Sequence, residues 1–590
     1  MDEPRIELRI EERPVTLKLV GGRNDLKRIN EAMSFRPPEY WRAHSYTLFQ
    51  QSGGARGWDG FLRPFTFQAE TVAIVLRGHL ETVLKHCEAF DIDTKLALLV
   101  RPFAELVPDD LPDDLIKAPF ELDEDQRICI VELLKHTYGT ARVTVSGGKT
   151  AIFAGAMAAI KRQYPAVQFL YMTQAERLVS QVYEEMQKFL PSWTISKYGG
   201  GSRELNGDLV VATTQMIHKN FNALRAEKFF ARFHGLMVDE CHHASSRSME
   251  KIIRACVAMF RFGASDSVKE QDIVKGTLIR GLLGPIRHII DAEPLIDVGR
   301  IARPQLYLVH EPAWANKFEE LRHEAKEGSE VWALVDGEWL KGKYRGPVYK
   351  KGEDNEFLLD KHGEKIQIES QHLVELNGFD VELPSRWCLL NRLHDKAIVN
   401  FKERNQLITD WVEHFSGEGL RTLVVATRTL HILILQGMIR GRLKAGDNLR
   451  LLFSDHSPKE RDATFKWFKE TPGAILISSI VKEGVNIPEI GAGVIADYVA
   501  SEDLLNQIIG RMIRRKPEGD NVGKIVVFIE NQHPRYKSSS MKLLKKMEKR
   551  RGYTFFYPCS TPDKLNMAEV INACNQPVAT HLAGQQAAAR

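Results

Sequence analysis

The sequence has few cysteines, and none lies in a disulfide or metal-binding pattern. Seven cysteines are scattered through 590 residues, and no two of them form a Cys-x-x-Cys pair. This distribution disfavours both a disulfide framework and a structural zinc site. Cys241, His242 and His243 are adjacent, but three neighbours on one turn cannot all face a single ion. We therefore assign no metal to them.

Long hydrophobic runs and a large net charge are also lacking. No apolar stretch approaches the ~18 residues that a membrane-spanning helix needs. The charged segment Met1–Arg5 has no apolar core of a secretory signal. We therefore expect a cytoplasmic protein without a membrane partner. The formal net charge of +4 is too small to indicate nucleic-acid binding, so any such site must be a local patch.

A glycine turn follows a short strand-like run and precedes a helix-like one. The turn consists of Val145, Ser146, Gly147, Gly148, Lys149 and Thr150. Backbone N–H groups of such a turn and of the next helix converge on one anion. Lys149 can reach the terminal phosphates of a nucleotide as a point charge. The hydroxyl of Thr150 is a suitable ligand for Mg²⁺.

The turn departs from the usual phosphate loop. Val143 stands where the first glycine of that loop should lie, and Ser146 replaces the glycine of Gly-x-Gly-Lys-Thr. A Gly-Lys-Thr triplet also occurs by chance, so the turn alone does not distinguish a nucleotide site from an ordinary loop. Serine is tolerable in this turn if its φ stays negative, although the turn loses the freedom of glycine.

Two adjacent carboxylates follow an apolar strand further along the chain. Residues 235–238 are apolar, and Asp239 and Glu240 come directly after them. In an open α/β sheet, ligand chemistry lies at the carboxyl ends of the strands. One carboxylate can hold Mg²⁺ through water, and the other can orient or deprotonate an attacking water. A solvated loop is the alternative, which the glycine turn upstream disfavours.

A third polar group lies near residue 510. Gln507, Arg511 and Arg514 fall on a predicted helix, where arginines three positions apart share one face. Such arginines can stabilise charge on a transferring γ-phosphate. A solvated basic face is the alternative. The order of glycine turn, carboxylate pair and arginine pair favours an ATP-driven motor.

These groups, in this order, resemble the motifs of superfamily-two helicases and translocases of the DExH group. Five further segments resemble the remaining motifs of that family: residues 173–181 (Ia), 212–215 (Ib), 262–267 (III), 423–428 (IV) and 483–488 (V). The resemblance covers roughly residues 115–310 and 390–550. It is greatest for phage UvsW-type DNA helicases, with XPB-type translocases as cousins. Ser146 and Asp266, which interrupts motif III, depart from the family pattern.

The resemblance implies roles for individual residues, with ATP and Mg²⁺ as cofactors. Nucleotide-binding residues would be Gln126, Ser146, Gly147, Gly148, Lys149, Thr150 and Gly484. Thr150 and Asp239 would hold Mg²⁺. Catalytic residues would be Glu240, Asp239, Gln507, Arg511 and Arg514. The residues that grip the sugar–phosphate backbone would be Thr173, Gln181, Thr213, Gln215 and Thr427.

Residues 1–112 indicate a separate α/β domain. Strands are predicted at residues 6–10, 15–20 and 96–100, and helix at residues 72–76 and 78–87. UvsW-like proteins carry an N-terminal α/β domain in which a similar Trp-Asp-Gly stretch engages duplex DNA. By resemblance, Arg56 and Trp58 would contact DNA. A structural turn around a core tryptophan is the alternative.

Residues 311–390 separate the two motor halves. Short alternating strands cut by Asp-Gly, Lys-Gly and His-Gly turns predict a small β-barrel here. Its basic and aromatic side chains suit stacking on unpaired bases or gripping a backbone. Alternatively, the aromatic side chains form the core of the barrel and the lysines are solvated.

We therefore predict an α/β protein with two RecA-like parallel-sheet motor domains, an N-terminal α/β domain and a small β-barrel insert. The predicted segments are residues 1–112 (DNA-engaging domain), 113–310 (first motor), 311–390 (linker and insert), 391–555 (second motor) and 556–590 (tail). ATP and Mg²⁺ would lie in a cleft between the two motor domains.

The predicted function is an ATP-dependent DNA helicase or translocase in phage or bacterial cytosol. It would unwind or remodel branched DNA in recombination, replication or repair, with single-stranded and branched DNA as partners. An RNA helicase and a motor subunit of a restriction or defence complex are alternatives. So is a DNA-binding scaffold with a degraded motor, which Ser146 and Asp266 favour slightly and intact Lys149 and Glu240 oppose. No protein partner is indicated.

Overall fold

The computed structural model describes residues 7–529, 545 and 553–556, with internal gaps. The gaps are residues 38–39, 41–43, 53–57, 118–120, 175, 268–272, 311–326, 336–337, 350–366, 377–378, 385–386, 390–397, 444–447, 454–455, 480–489, 498–504, 506–507, 511 and 513–520. The chain divides into two compact units, Met1–Ala292 and Glu293–Arg590. Among the described helices, none has the length and apolar character needed to cross a membrane.

The first unit begins with a small mixed sheet, in which residues 72–76 form a strand rather than the predicted helix because they pair with Thr16–Val20. Its strands are β1 (Leu8–Glu12), β2 (Thr16–Val20), β3 (Thr66–Ala69), β4 (Val72–Leu76) and β5 (Thr94–Ala97), in the order β3-β4-β2-β1-β5. Its helices are α1 (Arg23–Ala32), α2 (His44–Gln51) and α3 (Leu80–Ala89). Alternate residues of β1 and β2 are buried because successive side chains of a strand point to opposite faces. β5 begins two residues before the predicted strand.

A larger, mostly parallel sheet follows in the same unit. Its strands are β6 (Tyr138–Val143), β7 (Phe169–Thr173), β8 (Ile195–Gly199), β9 (Ser202–Arg203), β10 (Leu209–Thr213), β11 (Gly235–Asp239), β12 (Phe260–Ser265) and β13 (Ile286–Ile290). The order is β13-β6-β12-β11-β7-β10-β8-β9, and β9 alone among these strands runs antiparallel to its neighbour. The helices around it are α4 (Glu124–His136), α5 (Lys149–Gln163), α6 (Glu176–Phe189), α7 (Thr214–Lys219), α8 (Phe221–Ala226), α9 (Arg247–Ala255) and α10 (Ile273–Leu283).

The central strands of this sheet are buried on both faces. Every residue of β7, β10 and β11 is buried, as expected where helices cover both sides of a parallel sheet. Strand β12 lies between β6 and β11. The carboxyl ends of β6, β12 and β11 therefore meet at one edge, which positions the residues that follow them.

A buried ionic cluster joins the N-terminal domain to this sheet. Arg77 donates through Nε to Glu12 Oε1 at 2.7 Å, through Nη1 to the carbonyl of Met259 at 2.7 Å and through Nη2 to Thr137 Oγ1 at 2.8 Å. Arg101 also donates to Glu12, at 2.7 Å. Burial alone would raise the pKa of Glu12, but hydrogen bonds and charges from Arg101 and Arg77 lower it. Both parts of the first unit thus share one buried charge network.

The second unit contains a second parallel sheet. Its strands are β14 (Arg303–His310), β20 (Thr422–Val425), β21 (Leu449–Leu452), β22 (Ile475–Ser478), β23 (Ala492–Ile495), β24 (Val522–Ile529) and β25 (Thr554–Phe556), in the order β21-β22-β20-β23-β24-β14-β25. Helices α11 (Ala292–Asp297), α12 (Lys402–Gly417), α13 (Thr429–Arg442) and α14 (Pro458–Glu470) accompany it. Two parallel α/β sheets confirm the predicted fold class.

The membership of β14 corrects the predicted boundary of the first motor domain at residue 310. All eight residues of β14 pair in parallel with β24, so this strand belongs to the second sheet. Its apolar residues predict a buried strand equally well in either sheet. Pairing over more than two hundred positions of sequence is a tertiary choice that local sequence does not reveal.

The insert is an antiparallel sheet. Its strands are β15 (Glu330–Val335), β16 (Glu338–Tyr349), β17 (Gln367–Leu376), β18 (Phe379–Pro384) and β19 (Trp387–Leu389), in the order β18-β17-β16-β15-β19. Within the described residues, no pairing joins the edge strands β18 and β19, so the predicted barrel is not confirmed. Tyr344 is buried, which favours a core role for this aromatic residue over stacking on bases.

The buried cluster generates a stability prediction. Glu12→Gln leaves the Arg77 charge buried without its ionic partner, and breaking such a pair destabilises by about 3 kcal/mol. We expect urea denaturation of the full chain to show this loss. The matched control is Glu11→Gln, because Glu11 pairs with Arg13 on the surface, where the cost is about 0.5 kcal/mol or less. Equal losses in the two variants would contradict a buried anchoring role for Glu12.

Candidate active site

The glycine turn connects β6 to α5 through two left-handed residues. Gly148, the N-cap of α5, has φ 84°, and Ser146 has φ 67°. The condition for a tolerable serine, a negative φ, is therefore not met, and the turn holds an L-residue in the left-handed region at Ser146. A Cβ at Gly147 would lie 2.7 Å from Val143 Cγ1 and 3.0 Å from the carbonyl oxygen of Thr144. Only glycine fits there without a shift of the neighbouring atoms.

Gln126 supports this turn from helix α4. Its Nε2 donates to the carbonyl of Gly147 at 3.2 Å, and its Oε1 accepts from the backbone N–H of Asp123 at 3.1 Å. Asp123 Oδ1 in turn accepts from the backbone N–H of Gln126 at 2.7 Å, which completes a capping box at the start of α4. The predicted nucleotide-binding glutamine thus lies directly against the phosphate-loop candidate.

Lys149 and the carboxylate pair come together at the shared sheet edge. Lys149 Nζ donates to Glu240 Oε1 at 2.9 Å. Asp239 is the last residue of β11, and its Oδ1 accepts from the backbone N–H of Glu240 at 2.9 Å. Glu240 itself has φ 49°. The predicted lysine, metal-holding and base residues therefore form one site.

The charged groups in this site shift one another's pKa values. Burial raises the pKa of Asp239 to about 6. Burial alone would also raise the pKa of Glu240, but the charge of Lys149 and hydrogen bonds from His242 and Lys149 hold it well below its usual range. Burial alone would lower the pKa of Lys149, but the nearby carboxylates raise it. At neutral pH the lysine is therefore positive and Glu240 negative.

Ser265, at the end of β12, holds the other oxygen of Glu240. Its Oγ donates to Glu240 Oε2 at 3.2 Å, and His242 Nδ1 lies 2.7 Å from the same Oγ. Since the hydroxyl proton is used on Glu240, Nδ1 of His242 acts as a donor to Ser265. Ligand atoms of Glu240, His242 and Asp266 lie within 4.8 Å of one another. His242 thus faces carboxylates, whereas its neighbour Cys241 is buried in the core.

The residues present fit Mg²⁺. Asp239 offers a carboxylate at the sheet edge, and Thr150 offers a hydroxyl in the first turn of α5. Oxygen ligands are those that Mg²⁺ prefers, and it usually keeps several waters beside one or two carboxylates. Thr150 directly follows Lys149, and Asp239 directly precedes Glu240, which accepts from Lys149.

The predicted backbone-gripping residues lie at the ends of β7 and β10 and on the helices that follow. Thr173 and Thr213 are fully buried, and Thr213 caps α7 by accepting from the backbone N–H of Met216 at 3.1 Å. Gln215 is exposed. Gln181 is half-buried and donates to Glu185 Oε1 at 2.8 Å. The surface at these strand ends therefore presents glutamines rather than the threonine hydroxyls.

The structure has a hairpin of three glycines at this edge, which was not among the predicted site residues. Gly199, the last residue of β8, and Gly200 and Gly201, which connect it to β9, all have positive φ, of 138°, 58° and 87°. A Cβ at Gly199 would lie 3.0 Å from Thr213 Cγ2, and Gly201 faces open space. The hairpin thus places bare backbone beside Thr213. Three consecutive glycines directly after a strand are the sequence signal that would have found it.

The structure describes only some of the other predicted site residues. The indole Nε1 of Trp58 donates to the carbonyl of Phe61 at 2.7 Å, which favours the structural-turn alternative for Trp58. Thr427 is exposed, and its backbone N–H donates to Asp497 Oδ2. The predicted residues that lie outside the described part of the chain are Arg56, Gly484, Gln507, Arg511 and Arg514.

The left-handed serine generates a prediction. Ser146→Gly removes the steric penalty of a left-handed L-residue, whereas Ser146→Ala keeps it, and both lose the same hydroxyl. We expect the glycine variant to be more stable than the alanine variant by about 1 kcal/mol. Urea denaturation of the two full-length variants measures the difference. An alanine variant as stable as the glycine variant would show that residue 146 does not hold this φ in solution.

Two protein-family models match segments of this chain. The type III restriction enzyme res subunit model matches residues 120–265, and the helicase conserved C-terminal domain model matches residues 403–516. The DNA 3'-5' translocase XPB2 of Sulfurisphaera tokodaii is 23% identical over 418 residues, which cover 70% of this chain and 83% of the relative.

Solved structures are similar at lower identity. UvsW of bacteriophage T4 matches at 15% identity over 93% of this chain and 99% of its own, with a TM-score of 0.40. Dbp5 of S. cerevisiae bound to RNA and ADP-BeF3 matches at 14% identity over 77% of this chain and 94% of its own, with a TM-score of 0.44. The two family models match parts of the two parallel sheets in the order that the motifs require, and with the translocase relative they support an ATP-hydrolysing helicase of superfamily two.

Proposed function

We propose that this helicase is a DNA translocase that unwinds or remodels branched DNA. The observation that carries the motor chemistry is the pairing of Lys149 with Glu240 at 2.9 Å, at the edge where the phosphate-loop candidate, Asp239 and Ser265 meet. DNA as the substrate is supported by the relative of 23% identity, which is a DNA translocase. Branched DNA as the preferred form follows from the sequence resemblance.

ATP competes with Glu240 for Lys149. A γ-phosphate carries more negative charge than one carboxylate, so it draws the Nζ of Lys149 away from Glu240. Glu240 then loses the partner that most lowers its pKa. It becomes a better acceptor for the proton of the attacking water. Bound Mg²⁺ supplies neutralisation of phosphate charge, and Asp239 and Thr150 are the residues that would hold it.

Ser265 and His242 keep Glu240 in place during this exchange. The hydroxyl of Ser265 remains on Glu240 Oε2 when Lys149 leaves Oε1, because the two contacts use different oxygens. The base therefore stays oriented while its charge environment changes. Gln507, Arg511 and Arg514 remain our proposal for the residues that stabilise the transferring phosphate from the second motor domain.

The strand would be gripped at the carboxyl ends of β7, β8 and β10. Gln215 and the backbone N–H groups of Gly199–Gly201 are suited to phosphate oxygens, because left-handed turns form anion-binding concavities. Such contacts carry no base sequence information. We therefore propose that the enzyme selects DNA by strand structure rather than by sequence.

ATP hydrolysis with different nucleic acids tests the proposal. Wild type is measured without nucleic acid and with single-stranded DNA, forked DNA and RNA of matching sequence. We expect DNA to stimulate hydrolysis at least tenfold, and Lys149→Ala to reduce the stimulated rate by about a hundredfold or more. The matched control is Lys135→Ala, which removes a lysine paired with Glu132 on α4. Stimulation by RNA alone would show that RNA, and not DNA, is the substrate. Tight DNA binding without hydrolysis would show that the protein is a DNA-binding scaffold.

The glycine hairpin gives a separate test of the DNA path. Gly201→Asp adds a negative charge in open space where phosphate would lie, and one unit charge at about 4 Å in water costs about 1 kcal/mol. We expect the dissociation constant for single-stranded DNA to rise roughly fivefold at low salt and less at high salt. Gly201→Asn is the uncharged control of the same shape, and asparagine tolerates the left-handed φ. Equal affinities for the two variants would remove the hairpin from the DNA path.

A further inference from the structure

Within the described residues, a buried tyrosine close to the active site lacks a hydrogen-bond partner of ordinary geometry. Tyr171 is the central residue of β7, and its side chain is fully buried. Its hydroxyl makes no hydrogen bond of ordinary geometry within the part of the chain that the structure describes. A buried donor without a partner costs folding free energy, so such groups call for an explanation. Phenylalanine would fill the same space without this cost.

The position of Tyr171 in the sheet points its side chain to the active site. Tyr171 is opposite Met237 in the parallel pairing of β7 with β11, and Asp239 lies two residues further along β11. Residues two apart on a strand share a face of the sheet, so Tyr171 and Asp239 lie on the same face. The Asp239 carboxylate is close enough to raise the pKa of the Tyr171 phenol further than burial alone does.

The aromatic ring cannot turn away from this position. Phe153, one turn into α5, packs edge-on against the ring, with centroids 5.5 Å apart and planes at 84°. Both faces of the strand are covered, so the hydroxyl keeps its direction. A tyrosine phenol has an ordinary pKa of about 10 and is protonated at neutral pH. It is therefore a fixed donor.

Asp239 has a place for such a donor. One of its oxygens, Oδ1, accepts from the backbone N–H of Glu240 at 2.9 Å. A carboxylate that serves a metal ion is normally oriented by a second hydrogen bond, and loss of that bond typically weakens metal affinity or activity by 10- to 100-fold. In the described residues, the Tyr171 hydroxyl is a neutral donor near Asp239 without a partner of ordinary geometry, and the buried hydroxyl of Thr173 on the same strand is another.

We propose that Tyr171 is a positioning residue of the ATPase site, whose hydroxyl donates to the Asp239 carboxylate when magnesium and nucleotide bind. The inference rests on the proposed role of Asp239 in holding Mg²⁺. Binding of the ion would draw the carboxylate toward the phosphates, and the phenol would fix the angle at which it presents its oxygen. The residue acts through Asp239 and does not itself touch nucleotide.

Glu185 is the competing acceptor. This α6 carboxylate also contributes to the raised pKa of Tyr171, and its Oε1 already accepts from Gln181 Nε2 at 2.8 Å. If the phenol donated a hydrogen bond to Glu185, it would orient α6 and the predicted strand-gripping Gln181 instead of the metal site. The two acceptors make different predictions for Mg²⁺.

Tyr171→Phe in the full chain tests the proposal by two measurements. In DNA-stimulated ATP hydrolysis, we expect the Mg²⁺ concentration for half-maximal rate to rise about tenfold, while kcat at saturating Mg²⁺ stays within about twofold. In equilibrium binding of a fluorescent non-hydrolysable ATP analogue, we expect weaker binding in Mg²⁺ and unchanged binding in EDTA. A thermal unfolding curve verifies that the variant is folded.

Two further variants make the result specific. Tyr138→Phe removes another buried phenol of the same sheet at the first residue of β6, and we expect no change in either measurement. Glu185→Gln is expected to leave the Mg²⁺ requirement unchanged. An unaltered Mg²⁺ requirement in Tyr171→Phe, equal weakening with and without Mg²⁺, or a Glu185→Gln variant that copies Tyr171→Phe would each overturn the proposal.

Failure of the proposed function gives a different pattern. If wild type shows no DNA-stimulated hydrolysis, DNA translocation is wrong, but analogue binding with and without Mg²⁺ still decides the role of Tyr171. If wild-type binding of the analogue does not depend on Mg²⁺, Asp239 does not hold the ion and the inference about Tyr171 falls with it.

Discussion

The ion pair between Lys149 and Glu240 is the interaction on which the active site depends. Two carboxylates side by side in a largely buried site repel each other, and burial alone would raise both pKa values. The lysine offsets this repulsion, because an opposite charge favours the ionised carboxylate. A buried pair of this kind contributes little to stability after its desolvation. Its consequence is a charged site that is assembled before nucleotide arrives and that a phosphate can rearrange.

Buried charge also organises the frame that carries the site. The guanidinium of Arg77 joins Glu12 of the N-terminal sheet to the carbonyl of Met259, which comes directly before β12. Arg261, one residue inside β12, is buried and donates to the carbonyls of Leu282, Cys256 and Ile253. Burial lowers the pKa of Arg261 to about 10, so it stays protonated at neutral pH. Strand β12, which ends at Ser265, is therefore anchored at its start by two arginines with satisfied donors.

Much of the site was predictable because its chemistry requires rare residues in a fixed order. Lys149, Asp239 and Glu240 follow strand-like runs, and parallel strands bring their carboxyl ends to one edge. The φ of Ser146 was not predictable, since it depends on how many residues connect β6 to α5. The orphaned hydroxyl of Tyr171 is invisible in sequence, because a tyrosine in an apolar run looks like any other core residue. The three consecutive glycines of the hairpin are visible in the sequence, but they belong to none of the predicted motifs.

The amino-acid sequence is enough to predict the class of the protein: two parallel α/β sheets, the order of the motifs and the residue types of the ATPase site. These are local properties, set by hydrophobic periodicity and by side-chain chemistry. Three further features follow from the fold and not from local sequence: β14 joins the second sheet, Ser265 lies against Glu240, and Tyr171 shares a sheet face with Asp239. Each of these depends on which strands become neighbours, and strand order is chosen by packing of the whole sheet rather than by any one segment.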